Sequence, residues 1–276
     1  MRAGVVGHIE WIEFAHVDHV PVAGEIVHAC ETWEEPGGGG AVAAVQLAKL
    51  SGGCDFFTAV GDDELGRRSV RGLEALGVSV HTAIRDAPTR RAVTFIDRTG
   101  ERTITTLGAR LQPVAADPLP WPALAGADGV YVSAGDPGAF EHAREARVLV
   151  VTARALDLLA ASGVHADAIV GSGRDAAERY DSSALASPPG LAVRTAGARG
   201  GTYEIPGRGG GSYPPAPPPG PIADTYGGGD SFVAGLTFAL GSGLDVDDAL
   251  ALAARCGAHA VTGRGPYAGQ LTAIDL

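Results

Sequence analysis

DTYGGGDSFVAGL, residues 224–236, sets three consecutive glycines against an acid and runs on into an apolar repeat. Phe232, Val233, Leu236, Ala239 and Leu240 recur at the spacing of one helical face, which predicts a helix beginning at about Gly229 or Asp230. The glycines are then its N-terminal approach. First-turn amides have no intrahelical acceptor and the macrodipole adds partial positive charge, so such an end binds an anion, and glycine lets the backbone come close to it. Asp230 would repel a phosphate, so its position needs a reason. It is placed to accept the proton of a hydroxyl that attacks phosphorus. The competing reading is a flexible turn with Asp230 as a helix cap.

Outward from this stretch the hydrophobic periods alternate. Short apolar runs at 4–7, 55–60, 129–132, 148–151 and 168–170 read as buried strands. Residues 41–50 (AVAAVQLAKL) and 64–76 (ELGRRSVRGLEAL) carry helical spacing, with Arg67, Arg68, Arg71 and Glu74 on the polar face of the second. Strand and helix in alternation predict a largely parallel sheet covered on both sides, an α/β/α sandwich. Residues 91–106 interrupt that rhythm, because two β-rich runs flank Asp97-Arg98-Thr99-Gly100, a hairpin signal. A small β-element is expected to project there. The Gly- and Pro-rich residues 207–222 read as a surface excursion without a central strand or helix.

Composition narrows the function. A chain of 276 residues with 45% hydrophobic content can bury a large core in a single domain. Net charge is −11 and Lys49 is the sole lysine, which argues against a nucleic-acid or membrane-surface partner. Cys30, Cys54 and Cys256 are odd in number and far apart, so neither a disulfide framework nor a structural zinc site is expected. With no apolar run of membrane-spanning length and no signal-like start, a cytoplasmic protein is expected. His16 and His19 lie three apart in a β-rich segment, a spacing that points them to opposite sides and not at one metal. Asp245 and Asp248 read as a capping arrangement.

Three ordered segments resemble the ribokinase-like, or PfkB-type, carbohydrate kinase family, and the resemblance spans nearly the whole chain. DTYGGGDSFVAG resembles the family's C-terminal signature, which implies that Gly227, Gly228 and Gly229 form an anion hole and Asp230 is the catalytic base. PGGGGAVAAVQLAKLSGG, residues 36–53, resembles the N-terminal signature, implying a substrate turn at Gly37, Gly38, Gly39 and Gly40. Thr195-Ala196-Gly197-Ala198-Arg199-Gly200 resembles the family's Thr-x-Gly-x-x-Gly turn, so Thr195, Gly197 and Gly200 are expected along the nucleotide phosphates. Residues 223–266 resemble the family's C-terminal helix pair and the loop beside the adenine.

Departures from the family pattern are informative. Val42 stands where the family usually has a substrate-binding Asn, and a valine cannot make that hydrogen bond. Ile12 stands where an Asp usually grips two sugar hydroxyls, leaving Glu10 or Glu13 to substitute. The family's Asn-x-x-Glu aligns with Ser172-Gly173-Arg174-Asp175, so Asp175 offers a carboxylate for a weaker or water-mediated Mg²⁺ and Arg174 a phosphate contact. The resemblance further implies K⁺ near Asp224 and the loop after Val261. The expected architecture is an α/β three-layer sandwich over residues 1–276, with a discontinuous β-lid from 12–34 and 88–107 in which Trp11 and Phe14 pack. The expected activity is ATP-dependent phosphorylation of a sugar-like hydroxyl. A nucleoside kinase, or a binding protein that kept the fold without the chemistry, are the other readings. An apolar lid face formed by Val93, Phe95, Ile104 and Leu107 predicts a homodimer through the lids.

Overall fold

The computed structural model describes residues 1–181 and 184–276. In chain order its strands are β1 (Ala3–Val6), β2 (Glu10–His16), β3 (Glu31–Gly37), β4 (Cys54–Gly61), β5 (Val78–Arg85), β6 (Arg91–Ile96), β7 (Arg102–Leu107), β8 (Gly129–Val132), β9 (Leu149–Thr152), β10 (Ala168–Ser172), β11 (Leu191–Thr195), β12 (Gly201–Ile205) and β13 (Gly209–Tyr213). The helices are α1 (Gly39–Ser51), α2 (Glu64–Glu74), α3 (Pro137–Arg144), α4 (Leu156–Ser162), α5 (Gly228–Gly241) and α6 (Val246–Ala260).

The main sheet has the order β13-β12-β11-β10-β9-β8-β1-β4-β5, parallel from β11 through β5 and antiparallel at the β12 and β13 edge. Its period-two alternation makes two cores. Val5, Tyr131 and Val150 join a cluster with α1, α5 and α6, whereas Val6, Val130, Val132, Leu149 and Val151 join another with α3 and α4. This is the three-layer arrangement, since successive residues of one strand feed opposite faces. On α5, Phe232, Val233, Leu236 and Ala239 are buried as their spacing predicts, and Asp245 caps α6 by accepting from the amide of Asp248 at 3.0 Å.

Residues 209–213 correct the expectation of a bare surface excursion. The run GGGSY is an edge strand, and an edge position demands only that its backbone pair with β12, which glycine can do without side-chain packing.

The second sheet, β3-β2-β6-β7, stands apart from the first and forms the lid. Its register decides which side chains look inward. Ile12 pairs across from Ala92, Phe14 from Thr94 and Thr94 from Ile104, so these even-numbered residues share one face with Glu10, His16 and Arg102. Val93, Phe95 and Leu107 occupy the other face, opposite Thr105, Thr103 and Arg91. The apolar patch expected from the sequence is therefore split, because Ile104 belongs to the opposite side of the sheet. Part of the outer face is already covered, with the Arg68 guanidinium of α2 lying 4.2 Å above the Trp11 ring. Phe14 stacks on Trp33 at 4.9 Å and meets Tyr226 edge-on at 5.3 Å, which packs the inner face against the core.

Candidate active site

The first turn of α5 and the first turn of α1 meet at one point. Gly227 is the N-cap of α5 with φ 76°, a left-handed conformation that glycine adopts without strain. The amides of Gly228, Gly229 and Asp230 precede the first intrahelical bond, which runs from Ser231 to the Gly227 carbonyl at 2.8 Å. A β-carbon on Gly229 would meet nothing within 4 Å, so this face is open, whereas one on Gly227 or Gly228 would press on Val42 or Val261. The three expected anion-hole glycines thus divide into one that faces open space and two that let the turn pack.

Opposite them lies the glycine turn. A β-carbon on Gly39 would fall 2.8 Å from Oδ1 of Asp230, and one on Gly38 or Gly40 would crowd His8. A β-carbon on Gly37 would overlap Ile12 and the Tyr226 hydroxyl. That hydroxyl accepts from the Gly38 amide at 2.9 Å, so the turn is tied to the segment leading into α5. Val42 is fully buried, with its side chain under Gly227 and its carbonyl accepting from Gln270. It backs the turn at Gly227 and presents no exposed surface, which removes it from the expected substrate contacts.

Asp230 has its carboxyl pushed up to about 6, chiefly by burial, with Glu178 and Glu10 adding to the rise and Arg102 and Arg154 opposing it. A base poised there is ionised near neutrality yet still basic. His8 is held neutral, lowered to about 3 by burial and by Arg110, Arg90 and Arg154, and its Nδ1 is buried without a partner. Glu10 is buried on the inner lid face, 3.3 Å from Arg90 Nε but not aligned for a hydrogen bond, and burial holds its carboxyl above the usual range. Glu13, the other acid considered from sequence, turns outward and pairs with Arg91 at 2.8 Å. Strand alternation separates the two. Glu10 Oε2 and Arg90 Nε thus meet as an ion pair without a hydrogen bond, while Nδ1 of His8 is buried with no hydrogen-bond partner, a costly arrangement until a polar group meets it.

On the other side of Asp230, β11 ends at Thr195 and the following turn closes with the Ala196 amide donating to the Gly200 carbonyl at 2.7 Å. Gly197, at φ 60°, has the Arg174 guanidinium directly over it, so Arg174 and the expected phosphate turn do come together. Asp175 does not stand free. Its Oδ1 accepts from the Ala177 amide and its Oδ2 from Arg154 at 2.5 Å, while Glu178 accepts from the same arginine at 2.7 Å and from the Ser172 amide at 3.0 Å. With each of these oxygens engaged, the pair does not fit Mg²⁺ as direct ligands. Asp224 is likewise committed: it is buried, and its two oxygens accept from the amides of Tyr226 at 2.7 Å and Gly265 at 3.1 Å. Among the described residues no group of three or more His, Cys, Asp or Glu could hold a metal.

His8, Arg90, Arg110, Arg154, Glu178 and Arg102 escaped the sequence reading. The lid residues among them had one usable signal, the two-residue alternation, but it assigns faces only once the strand register is known.

A family model described as pfkB family carbohydrate kinase matches residues 3–273. A ribokinase of Dictyostelium discoideum is 27% identical over 106 residues, covering 38% of this chain; the match spans a third of that relative's own length. Among solved structures, the ribokinase of Thermotoga maritima superposes with a TM-score of 0.78 at 21% identity, covering 99% of this chain and 97% of that one. The Arabidopsis thaliana ribokinase complexed with ribose and ATP superposes with a TM-score of 0.76 at 19% identity, covering 99% and 96%.

Proposed function

The chain belongs to the pfkB family of carbohydrate kinases, and from that premise we propose that it transfers the γ-phosphoryl group of ATP to a hydroxyl of a sugar or sugar-like acceptor, with Asp230 as general base. The observation that carries this reading is the carboxylate of Asp230, raised to about 6, beside the first-turn amides of Gly228, Gly229 and Asp230, which precede the first intrahelical bond of α5.

In the proposed reaction the acceptor lies between the inner lid face and the Gly37–Gly40 turn. His8 offers it a buried nitrogen with no hydrogen-bond partner, and Glu10 and Arg90 a buried ion pair without a hydrogen bond between them. Asp230 takes the hydroxyl proton as the oxygen attacks phosphorus. The amides of Gly228, Gly229 and Asp230 meet the charge on the transferring group, an interaction strongest in the transition state. ATP runs from there toward Arg174 and the turn from Thr195 to Gly200. That a ribokinase of the same fold is complexed with ribose and ATP supports a sugar and ATP as the two ligands.

Mg²⁺ would arrive on the nucleotide phosphates and neutralise their charge, because Asp175 and Glu178 are spent on Arg154. K⁺ beside Asp224 would have to draw on backbone carbonyls, since the carboxylate is already taken by amides.

The test is ATP turnover by the purified chain with a panel of neutral sugars, sugar acids, sugar phosphates and nucleosides. Stimulation by a carbohydrate supports the reading, stimulation by nucleosides alone moves the substrate class, and ATP binding with no acceptor-dependent turnover would leave a binding protein.

A further inference from the structure

The hairpin between β6 and β7 grips a single residue of the core. The Thr225 amide donates to the Gly100 carbonyl at 2.9 Å, the Thr225 hydroxyl donates to Glu101 Oε1 at 3.2 Å, and Arg102 Nη1 donates to the Thr225 carbonyl at 3.0 Å. Every polar group of Thr225 is therefore engaged by three consecutive lid residues. The hairpin tip is itself braced, because Asp97 Oδ1 accepts from the Thr99 amide at 2.8 Å, the Thr99 hydroxyl at 2.6 Å and the Glu101 amide at 3.2 Å. Gly100, at φ 79°, sits so close to the core that a β-carbon there would lie 3.0 Å from Ile222 and 3.3 Å from the Ala223 carbonyl.

Thr225 is two residues before the N-cap of α5. Its neighbours are fixed from the core side, Asp224 by the amides of Tyr226 and Gly265, and Tyr226 by the Gly38 amide. The chain entering the anion hole is thus held by the core on both sides of Thr225 and by the lid at Thr225.

Resting on the kinase reading above, we propose that Glu101 and Arg102 are positioning residues: seated on Thr225, they set the backbone that delivers Gly227–Asp230 to the reacting phosphoryl group, so transfer requires the lid tip to be docked. A turn displaced by about 1 Å costs roughly 10²-fold in rate, which is the scale such a contact can control.

Arg102 also acts through its charge. Asp230 is faced by Arg102 from β7, Arg154 from the turn after β9, Glu178 from the turn after β10, Glu10 from β2, Tyr131 from β8, and Tyr226, Tyr267 and the His8 imidazole from the adjoining loops. Of the cations, Arg102 opposes the rise of the Asp230 carboxyl most. Removing it lifts that carboxyl further and moves the acid limb of the rate profile to higher pH.

The experiment compares the parent with Arg102→Met, Arg102→Lys and Glu101→Ala on the best acceptor of the panel, with hydrogen exchange of the Thr225 amide measured without ligands. Expected are a kcat at least tenfold lower in Arg102→Met with KM for ATP within about twofold, an acid limb shifted upward, partial recovery in Arg102→Lys, and faster exchange at Thr225. Unchanged kcat and acid limb in a normally melting Arg102→Met would overturn the positioning role and leave the kinase reading standing. A raised KM for ATP with kcat intact would overturn it too, by making Arg102 a phosphate ligand. A parent that turns over no acceptor would remove the kinase reading, and this inference with it.

Discussion

Gly39 and Asp230 occupy the first turns of two different helices, and a β-carbon on Gly39 would stand 2.8 Å from the carboxylate oxygen of Asp230. The missing side chain is what allows the proposed base to lie against the substrate turn.

Gly39→Ala should therefore act on the reaction more than on the fold. The added methyl pushes the short Asp230 side chain from its place, and kcat is expected to fall by about 10- to 100-fold. Overpacking at one methyl costs about 1–3 kcal/mol of stability. Steady-state kinetics with thermal melting decides it: a variant that melts slightly lower yet turns over at the parent rate would show that Asp230 does not need that gap.

Asp230→Asn isolates the base, because the structure corrects the capping reading: Gly227 is the N-cap of α5 and no side chain caps that helix. An amide cannot take a proton, so kcat should drop by about 10² or more while ATP affinity holds or tightens. Stability should move the other way. The folded carboxyl is raised above its unfolded value of 3.8, so the protonated form is favoured by folding, and the penalty for ionising it is absent below the unfolded value and complete above about pH 6. Melting of the asparagine variant should exceed the parent above pH 6, by up to about 3 kcal/mol less the screening from the open cleft, and the difference should vanish near pH 4.

The same carboxyl sets the pH dependence of the parent. With Asp230 required in its ionised form and titrating at about 6, log kcat/KM should fall with unit slope below about pH 6. The limb should be absent from Asp230→Asn. A profile flat down to pH 4.5 would exclude Asp230 as the titrating group.

Glu10→Gln and Glu13→Gln test the face assignment of β2. Glu10 looks inward beside Arg90 and Glu13 outward beside Arg91, so the first should raise KM for the acceptor by about tenfold and the second should leave kcat and KM within about twofold. Equal effects from both, measured as acceptor titrations at saturating ATP, would contradict the assignment.

Val42→Asn would restore the family's usual residue at a position that the structure closes. The amide would lie in a fully buried site beneath Gly227, so a loss of about 1–3 kcal/mol with no gain in kcat/KM is expected from melting and kinetics. A rise in kcat/KM would mean that this side chain does reach the acceptor.

What the sequence by itself determined is local. The glycine run before Asp230, the helical spacing from Phe232 onward and the apolar strand runs each depend on neighbours within a few residues, so they locate the start of α5 and the parallel sheet without any coordinates. The turns at 37–40 and 195–200 were legible only through their resemblance to the family's motifs. Tertiary structure decided the rest, because it depends on register and on contacts far apart in the chain. Only the pairing of β6 with β7 shows that Ile104 and Arg102 look inward while Val93, Phe95 and Leu107 look out. Only packing shows that Val42 lies under Gly227, that Arg154 has claimed Asp175 and Glu178, and that Arg102 reaches across 123 residues to Thr225. A strand's alternation fixes two faces but not which one is buried; that choice is made by whatever the rest of the chain places against it.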